Sequence, residues 1–181
     1  IFNGTVLRLQ PDAIIFDKTG TLTTGDFQVR AIHWLVPENQ ADLDRLASIE
    51  AGLDHPIARA LARVGRVIPV TERDVERTTV QGQFDGQQYR AGKTTLYEDL
   101  PEALAAKGLH HVMDGDSAST LVAFGDAQSC HLVVELRDEI RPEIPALLKQ
   151  IPTAHLCSGD RQPMVEAVAD RLGIEHRHWD M

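Results

Sequence analysis

Four apolar residues in a row, Ala13-Ile14-Ile15-Phe16, run straight into Asp17-Lys18-Thr19-Gly20-Thr21-Leu22-Thr23. An unbroken apolar run stopped by an acid and a Thr/Gly cluster has the pattern of a strand buried on both faces of a parallel sheet, since a half-buried strand would alternate. The carboxyl end of such a strand is where α/β folds bind ligands. A carboxylate at Asp17 can attack a phosphoryl group there. Backbone amides of the Gly20 turn, with the Lys18, Thr19 and Thr21 side chains, can hold the phosphate oxygens.

The rest of the chain alternates two textures. Leu43, Leu46, Ala47 and Ile49 predict a helix from Asn39 to Glu50, and Pro56 opens a second one with Ile57, Ala60, Leu61 and Val64 on one side. Thr78–Phe84 and Gln87–Ala91 flank Asp85-Gly86, a hairpin signal because a tight primed turn needs positive φ. A short helix over Pro101–Lys107 is followed by strands at Thr120–Phe124 and His131–Leu136. The last segment then reads helix (Pro142–Gln150), strand (Ala154–Cys157) and helix (Pro163–Leu172, ended by Gly173). The expected fold is α/β. An incomplete Rossmann-like domain is built from residues 1–26 and 132–181, and an α+β domain with an antiparallel sheet is inserted at 27–131.

Composition removes several classes of function. Among 181 residues, 18 are basic and 27 acidic, a formal charge of −9, so nothing attracts the chain generally to nucleic acid or anionic lipid. The content of 43% hydrophobic and 25% charged residues is that of a folding chain. No apolar stretch approaches the roughly 18 residues needed to cross a bilayer. Ile1–Gln10 also lacks the basic start and long apolar centre of a secretion signal. Cys130 and Cys157, without a CxxC pair, fit a reducing compartment.

The string Asp17-Lys18-Thr19-Gly20-Thr21-Leu22-Thr23 resembles the phosphorylation motif of the P-type cation-transporting ATPases, within the haloacid-dehalogenase superfamily. The soluble phosphatases of that superfamily commonly carry a second Asp two residues after the nucleophile, which acts as general acid and then activates water. Thr19 stands there instead, so an aspartyl-phosphate at Asp17 should hydrolyse slowly. Ser158-Gly159-Asp160 resembles the family's T-G-D segment and retains its hydroxyl. The resemblance implies catalytic roles for Asp17, Lys18, Thr19 and Asp160, phosphate binding at Thr19, Gly20, Thr21, Ser158 and Gly159, and Mg²⁺ held by Asp17 and the Thr19 carbonyl. Asp138-Glu139-Ile140-Arg141-Pro142 resembles the D-x-x-(R/K)-P junction, which casts Asp138 and Arg141 as a hinge.

Glu50 through Ala58 resembles the E-x-x-S-E-H-P-L-A segment of the heavy-metal pumps, whose Glu and His meet the adenine end of ATP. That implies ATP contacts from Glu50 and His55, with Leu53 and Asp54 departing from the commonest pattern. A glycine-rich segment keeps only Gly82, with Arg77 and Thr79 at the earlier glycine positions. ATP is then expected to bind weakly or in a shifted pose, or productive binding has been lost. The resemblance spans the chain, from Asn3-Gly4-Thr5-Val6-Leu7 to Leu172-Gly173-Ile174. It stops before the family's distal lysine and G-D-G-x-N-D motif.

The whole therefore implies a monomeric, catalytically crippled cytosolic piece of a membrane-embedded pump, on the cytoplasmic side of a bacterial inner membrane. It works with ATP and Mg²⁺, with its membrane and actuator domains and its transported metal, Cu(I), outside these residues. A soluble phosphatase of the same superfamily and a non-catalytic nucleotide-binding module are the alternatives. His110-His111, Cys130-His131, His155-x-Cys157 and His176-x-His178 are read as ordinary core or surface residues, since none forms two well-spaced ligand pairs.

Overall fold

The computed structural model describes residues 12–114, 119–159 and 162–179. Asn3–Leu7 and Asp160 lie outside the described residues. In chain order the elements are β1 (Ile14–Asp17), a helical turn (Lys18–Leu22), β2 (Thr23–Trp34), α1 (Gln40–Glu50), α2 (Pro56–Leu61), β3 (Thr71–Val75), β4 (Thr79–Phe84) and β5 (Gln87–Gly92). There follow α3 (Leu100–Ala106), α4 (His111–Asp114), β6 (Ser119–Asp126), β7 (Cys130–Ile140), α5 (Ile144–Leu148), β8 (Ala154–Cys157), α6 (Gln162–Leu172) and β9 (His176–His178). The strands form a three-stranded parallel sheet, β1-β8-β9, and a six-stranded antiparallel sheet, β2-β7-β6-β5-β4-β3.

Local chemistry sets the ends of several elements. Asn39 caps α1 by accepting from the Ala41 amide at 3.0 Å. His55 caps α2 through Nδ1, with Pro56 in the first turn where its missing N–H costs nothing. At the β4–β5 hairpin Asp85 and Gly86 take φ of +50° and +81°, and Phe84 pairs with Gln87. That is the two-residue turn expected from Asp-Gly.

Helices α1 and α2 cover one face of the six-stranded sheet. Leu46, Ile49 and Leu61 meet Phe84, Phe124, Leu132, Val134 and Leu136 there. On the other face Leu100 and Leu104 of α3 meet Ala123 and Val133. Strands β6 and β7 are thus buried on both sides, which is why they read as continuous apolar runs. A third core joins Leu22, Ile144, Leu156, Val165 and Val168 beneath the parallel sheet.

The structure corrects the reading of β1. Among the described residues its residues alternate in burial and Ile15 is 69% exposed, because α5 and α6 cover only the face bearing Phe16 and Leu156. Three strands are also additions to the sequence reading. β2 begins with Thr-Thr-Gly-Asp and carries polar residues at alternate positions, β3 is exposed throughout, and β9 has three residues. β2 pairs with β7 from Thr23↔Ile140 to Trp34↔Leu132, with register shifts after Thr23 and Val29. The 26/27 and 131/132 boundaries fall inside these two strands.

The segment after α2 returns beneath α1 so closely that a Cβ on Gly65 would lie 2.5 Å from the Leu43 carbonyl carbon and oxygen. Backbone cannot yield there as a side-chain tip can. Gly65→Ala is expected to lower stability by about 1–3 kcal/mol, read as a lower urea midpoint at unchanged m-value.

Candidate active site

Asp17 ends β1 exposed at the surface, and its strand partner in β8 is Cys157, so Ser158 and Gly159 begin beside the Lys18–Leu22 turn. The two motifs therefore meet at the carboxyl ends of adjacent parallel strands. Gly20 sits at φ +79°, which favours glycine, while Thr19 remains extended at φ −79°, ψ 121°. Asp17, Thr19, Gly20, Thr21 and Gly159 are exposed, whereas Lys18 and Ser158 are buried. The Ser158 amide donates to the carbonyl of His178 in β9 at 3.1 Å.

Asp138 and Arg141 close around this turn from β7 and the residues after it. The Gly20 amide donates to the Thr23 hydroxyl at 3.2 Å, and that hydroxyl donates to an Asp138 carboxylate oxygen. The other Asp138 oxygen accepts from the Gly25 amide at 2.9 Å. Arg141 donates through Nε to the Thr23 carbonyl at 3.0 Å and through Nη2 to the Gly20 carbonyl at 2.9 Å. Residues more than 110 positions away thus hold both ends of the turn. Thr23 is the part missed by sequence reasoning, although it closes the motif in the chain.

Glu50 ends α1 and lies in a cleft of about 430 Å³ lined also by Gly52, Leu53, Asp54, Arg59, Ala62 and Arg63. Burial pushes its carboxyl up to about 7, opposed by the positive charge of Arg73 on β3. His55 stands exposed five residues on, at the start of α2. Arg63, just past α2, reaches Asp26 of β2 at 3.4 Å, linking this cleft to the strand that follows the Asp17 turn. Arg59 and Arg63 went unnoticed in the sequence, although their i, i+4 spacing is the available signal. Gly82 is buried rather than open: a Cβ there would meet Val70 Cγ2 at 2.5 Å and Ile49 Cγ2 at 2.9 Å. Its missing side chain lets α1 settle on β4, one residue from Glu50.

A larger cleft of about 570 Å³ lies at the opposite end of α1. Its Asp42, Arg45 and His131 side chains are already engaged with one another or with Asp126. His131 Nδ1 is 2.9 Å from Asp42 and Nε2 is 3.4 Å from Asp126, while Arg45 meets Asp42 at 2.7 Å and covers the Tyr89 ring at 4.6 Å. The bond to Asp42 raises the His131 pKa. This network fastens the start of α1 to the sheet.

For Mg²⁺, the carboxylate of Asp17 and the carbonyl of Thr19 are hard oxygen donors on exposed residues. They fit an ion that takes one or two carboxylates and completes its shell with water and substrate phosphates. No described group of three His, Cys, Asp or Glu side chains forms a fuller cage.

The haloacid dehalogenase-like hydrolase family matches residues 11–180. The chain belongs to that family. Among relatives of this haloacid dehalogenase-like chain, the "Probable copper-transporting ATPase SynA" of Synechococcus is 33% identical over 89% of the chain and 21% of the relative. The "Copper-exporting P-type ATPase" of Mycobacterium tuberculosis is 33% identical over 91% and 22%. The chain spans about a fifth of the length of these relatives. The fold matches the catalytic domain of the CPx-ATPase CopB-B (TM-score 0.69, 20% identity, 94% of this chain and 63% of that one). It also matches a zinc-transporting PIB-type ATPase in the E2.Pi state (TM-score 0.73, 22% identity, 92% and 28%). No described helix of this haloacid dehalogenase-like chain is long and apolar enough to cross a membrane.

A carboxyl raised from 4.5 to about 7 in the folded chain holds a proton that the unfolded chain has released. Stability should therefore fall as pH rises from about 4.5 to about 7 and level off above. Glu50→Gln is expected to flatten that slope and to be the more stable protein above the window, by up to ~3 kcal/mol, in urea melts across pH.

Proposed function

We propose that residues 27–131 bind ATP and that residues 1–26 with 132–181 accept its γ-phosphate on Asp17, as the catalytic portion of a heavy-metal P-type ATPase. The observation that carries this reading is the Asp138–Arg141 clamp on the Asp17–Thr23 turn. Two segments that resemble separate motifs of one family form one hydrogen-bonded unit at the end of a parallel strand. The metal cargo, Cu(I), binds outside these residues. The partners are the membrane and actuator domains of the same pump, and the working place is the cytoplasmic side of the membrane.

In the mechanism, Glu50 and His55 take the adenine end of ATP, and the arginines lining the Glu50 cleft supply positive charge beside the nucleotide. An oxygen of the Asp17 carboxylate attacks the γ-phosphorus. The bond from that phosphorus to the bridging oxygen breaks, and ADP leaves with the electron pair. The Gly20 amide turn, Ser158 and Gly159 surround the transferred group, with Asp160 and Lys18 completing the catalytic set. Mg²⁺ on Asp17 and the Thr19 carbonyl, when bound, neutralises phosphate charge. Thr19 has no acid or base to offer a water molecule, so the acyl-phosphate persists, unlike the intermediate of a soluble phosphatase.

Titration of the chain with MgATP should show saturable binding that weakens about tenfold or more, ~1.4 kcal/mol, in His55→Gln but not in Asp17→Asn. Incubation with radiolabelled ATP should give a slow, substoichiometric label, acid-stable and hydroxylamine-sensitive, that is absent from Asp17→Asn. Absence of binding up to millimolar ATP, or label that survives Asp17→Asn, would overturn the reading.

A further inference from the structure

Glu50 is only 6% exposed at the end of α1, and among the described residues its carboxyl makes no hydrogen bond and no ion pair. The cleft it lines is walled by Gly52, Leu53 and Ala62, none of which offers a polar side-chain atom. The charged groups of the surrounding elements are engaged elsewhere. Arg59 of α2 meets Asp54 at 3.0 Å, and Arg63 meets Asp26 at 3.4 Å. His55 caps α2 through Nδ1. Strand β4 has no titratable side chain, and in β5 Tyr89 lies under Arg45 while Arg90 covers the Tyr97 ring. Arg73 of β3 is the charge that acts on Glu50, and it does not outweigh burial.

A carboxylate withdrawn from water without a partner is penalised, and holding a proton relieves the penalty. The Glu50 carboxyl is accordingly pushed up to about 7. Its two forms differ in what they can read. The neutral acid sets a donor beside an acceptor, whereas the ion is an acceptor only. Adenine presents its N6 amino donor beside the N1 acceptor. The neutral acid therefore makes two hydrogen bonds to that edge, while the ion sets a lone pair against N1 and leaves it unmet, at the cost of its desolvation. Guanine presents N1–H and N2–H side by side, two donors that the ion accepts together.

We propose that Glu50 reads the adenine edge as a neutral carboxylic acid, donating to N1 and accepting from the N6 amino group, and that loss of its proton relaxes the preference for adenine over guanine. The proposal rests on the nucleotide reading above and adds to it the protonation state in which the cleft is selective. The apolar wall of Gly52, Leu53 and Ala62 suits the flat face of a base, and the exposed Arg59 and Arg63 suit the anionic end of the same molecule. The sign of the pH effect follows. Adenine favours protonated Glu50, so its binding draws a proton from solvent near neutral pH and weakens as pH rises, whereas guanine favours the ion.

The test is calorimetric titration of the chain with MgATP and with MgGTP, because the ratio of the two affinities cancels the titration of the shared triphosphate. The ATP-to-GTP affinity ratio should fall about tenfold between about pH 6 and about pH 8, as Glu50 passes from mostly neutral to mostly ionised. Glu50→Gln, whose amide keeps a donor beside an acceptor at every pH, should hold that ratio constant. Near neutral pH, MgATP binding to the parent should also take up a fraction of a proton, read as a heat that varies with the ionisation enthalpy of the buffer, and Glu50→Gln should lose that share. A parent chain that binds MgATP at an unchanging ratio, or a ratio that still falls in folded Glu50→Gln, would overturn the proposal and leave the nucleotide reading standing. A parent chain that binds neither nucleotide at any pH would overturn both.

Discussion

The pairing of β2 with β7 carries the rest of the architecture. It begins at Thr23↔Ile140, just past the turn that follows Asp17, and ends at Trp34↔Leu132 along one edge of the six-stranded sheet. The chain thus leaves the parallel sheet and returns to it along two neighbouring strands. Asp138 and Arg141, at the returning end, then lie opposite Thr23 and Gly25 and can bind the turn. The register shift between Thr23 and Phe27 bends the ladder where it passes from one sheet to the other. Without this pairing, the Gly20 and Thr23 carbonyls of the Asp17 turn would lose the Arg141 guanidinium.

The two ends of α1 show how one element serves two purposes. Its start is secured to the sheet by Asp42, Arg45 and His131, a partly buried charge network whose members satisfy one another. Its end places Glu50 in a cleft where, among the described residues, it has no ion pair of that kind, so its carboxyl responds to burial and its pKa rises. Polar groups that are mutually paired stabilise a fold, whereas a strongly perturbed single carboxyl in a cleft marks a place for chemistry. The larger cleft is therefore the less promising one.

Much of the fold was legible in local sequence. The Asp85-Gly86 hairpin, the helix start at Asn39, the Pro56 helix start and β8 each depend on chemistry within a few residues. β2, β3 and β9 were not legible, because polar, exposed or three-residue strands exist only through their partners. Of the site, Asp17, Glu50, His55 and Ser158 announced themselves in motifs. Thr23, Arg63 and the packing role of Gly82 did not, since each is defined by a contact with a distant segment: Asp138, Asp26, and Ile49 with Val70.

By itself the sequence determined the local elements, the turn chemistry at Gly20 and Gly86, and the resemblance of its motifs to one family. Those are set by backbone preferences and by residues adjacent along the chain. Tertiary structure alone decided that Asp138 and Arg141 bind the Asp17 turn and that Glu50 is buried enough to hold its proton. Register and burial arise when segments more than twenty residues apart meet, and short-range sequence pattern does not encode which partner a strand will choose.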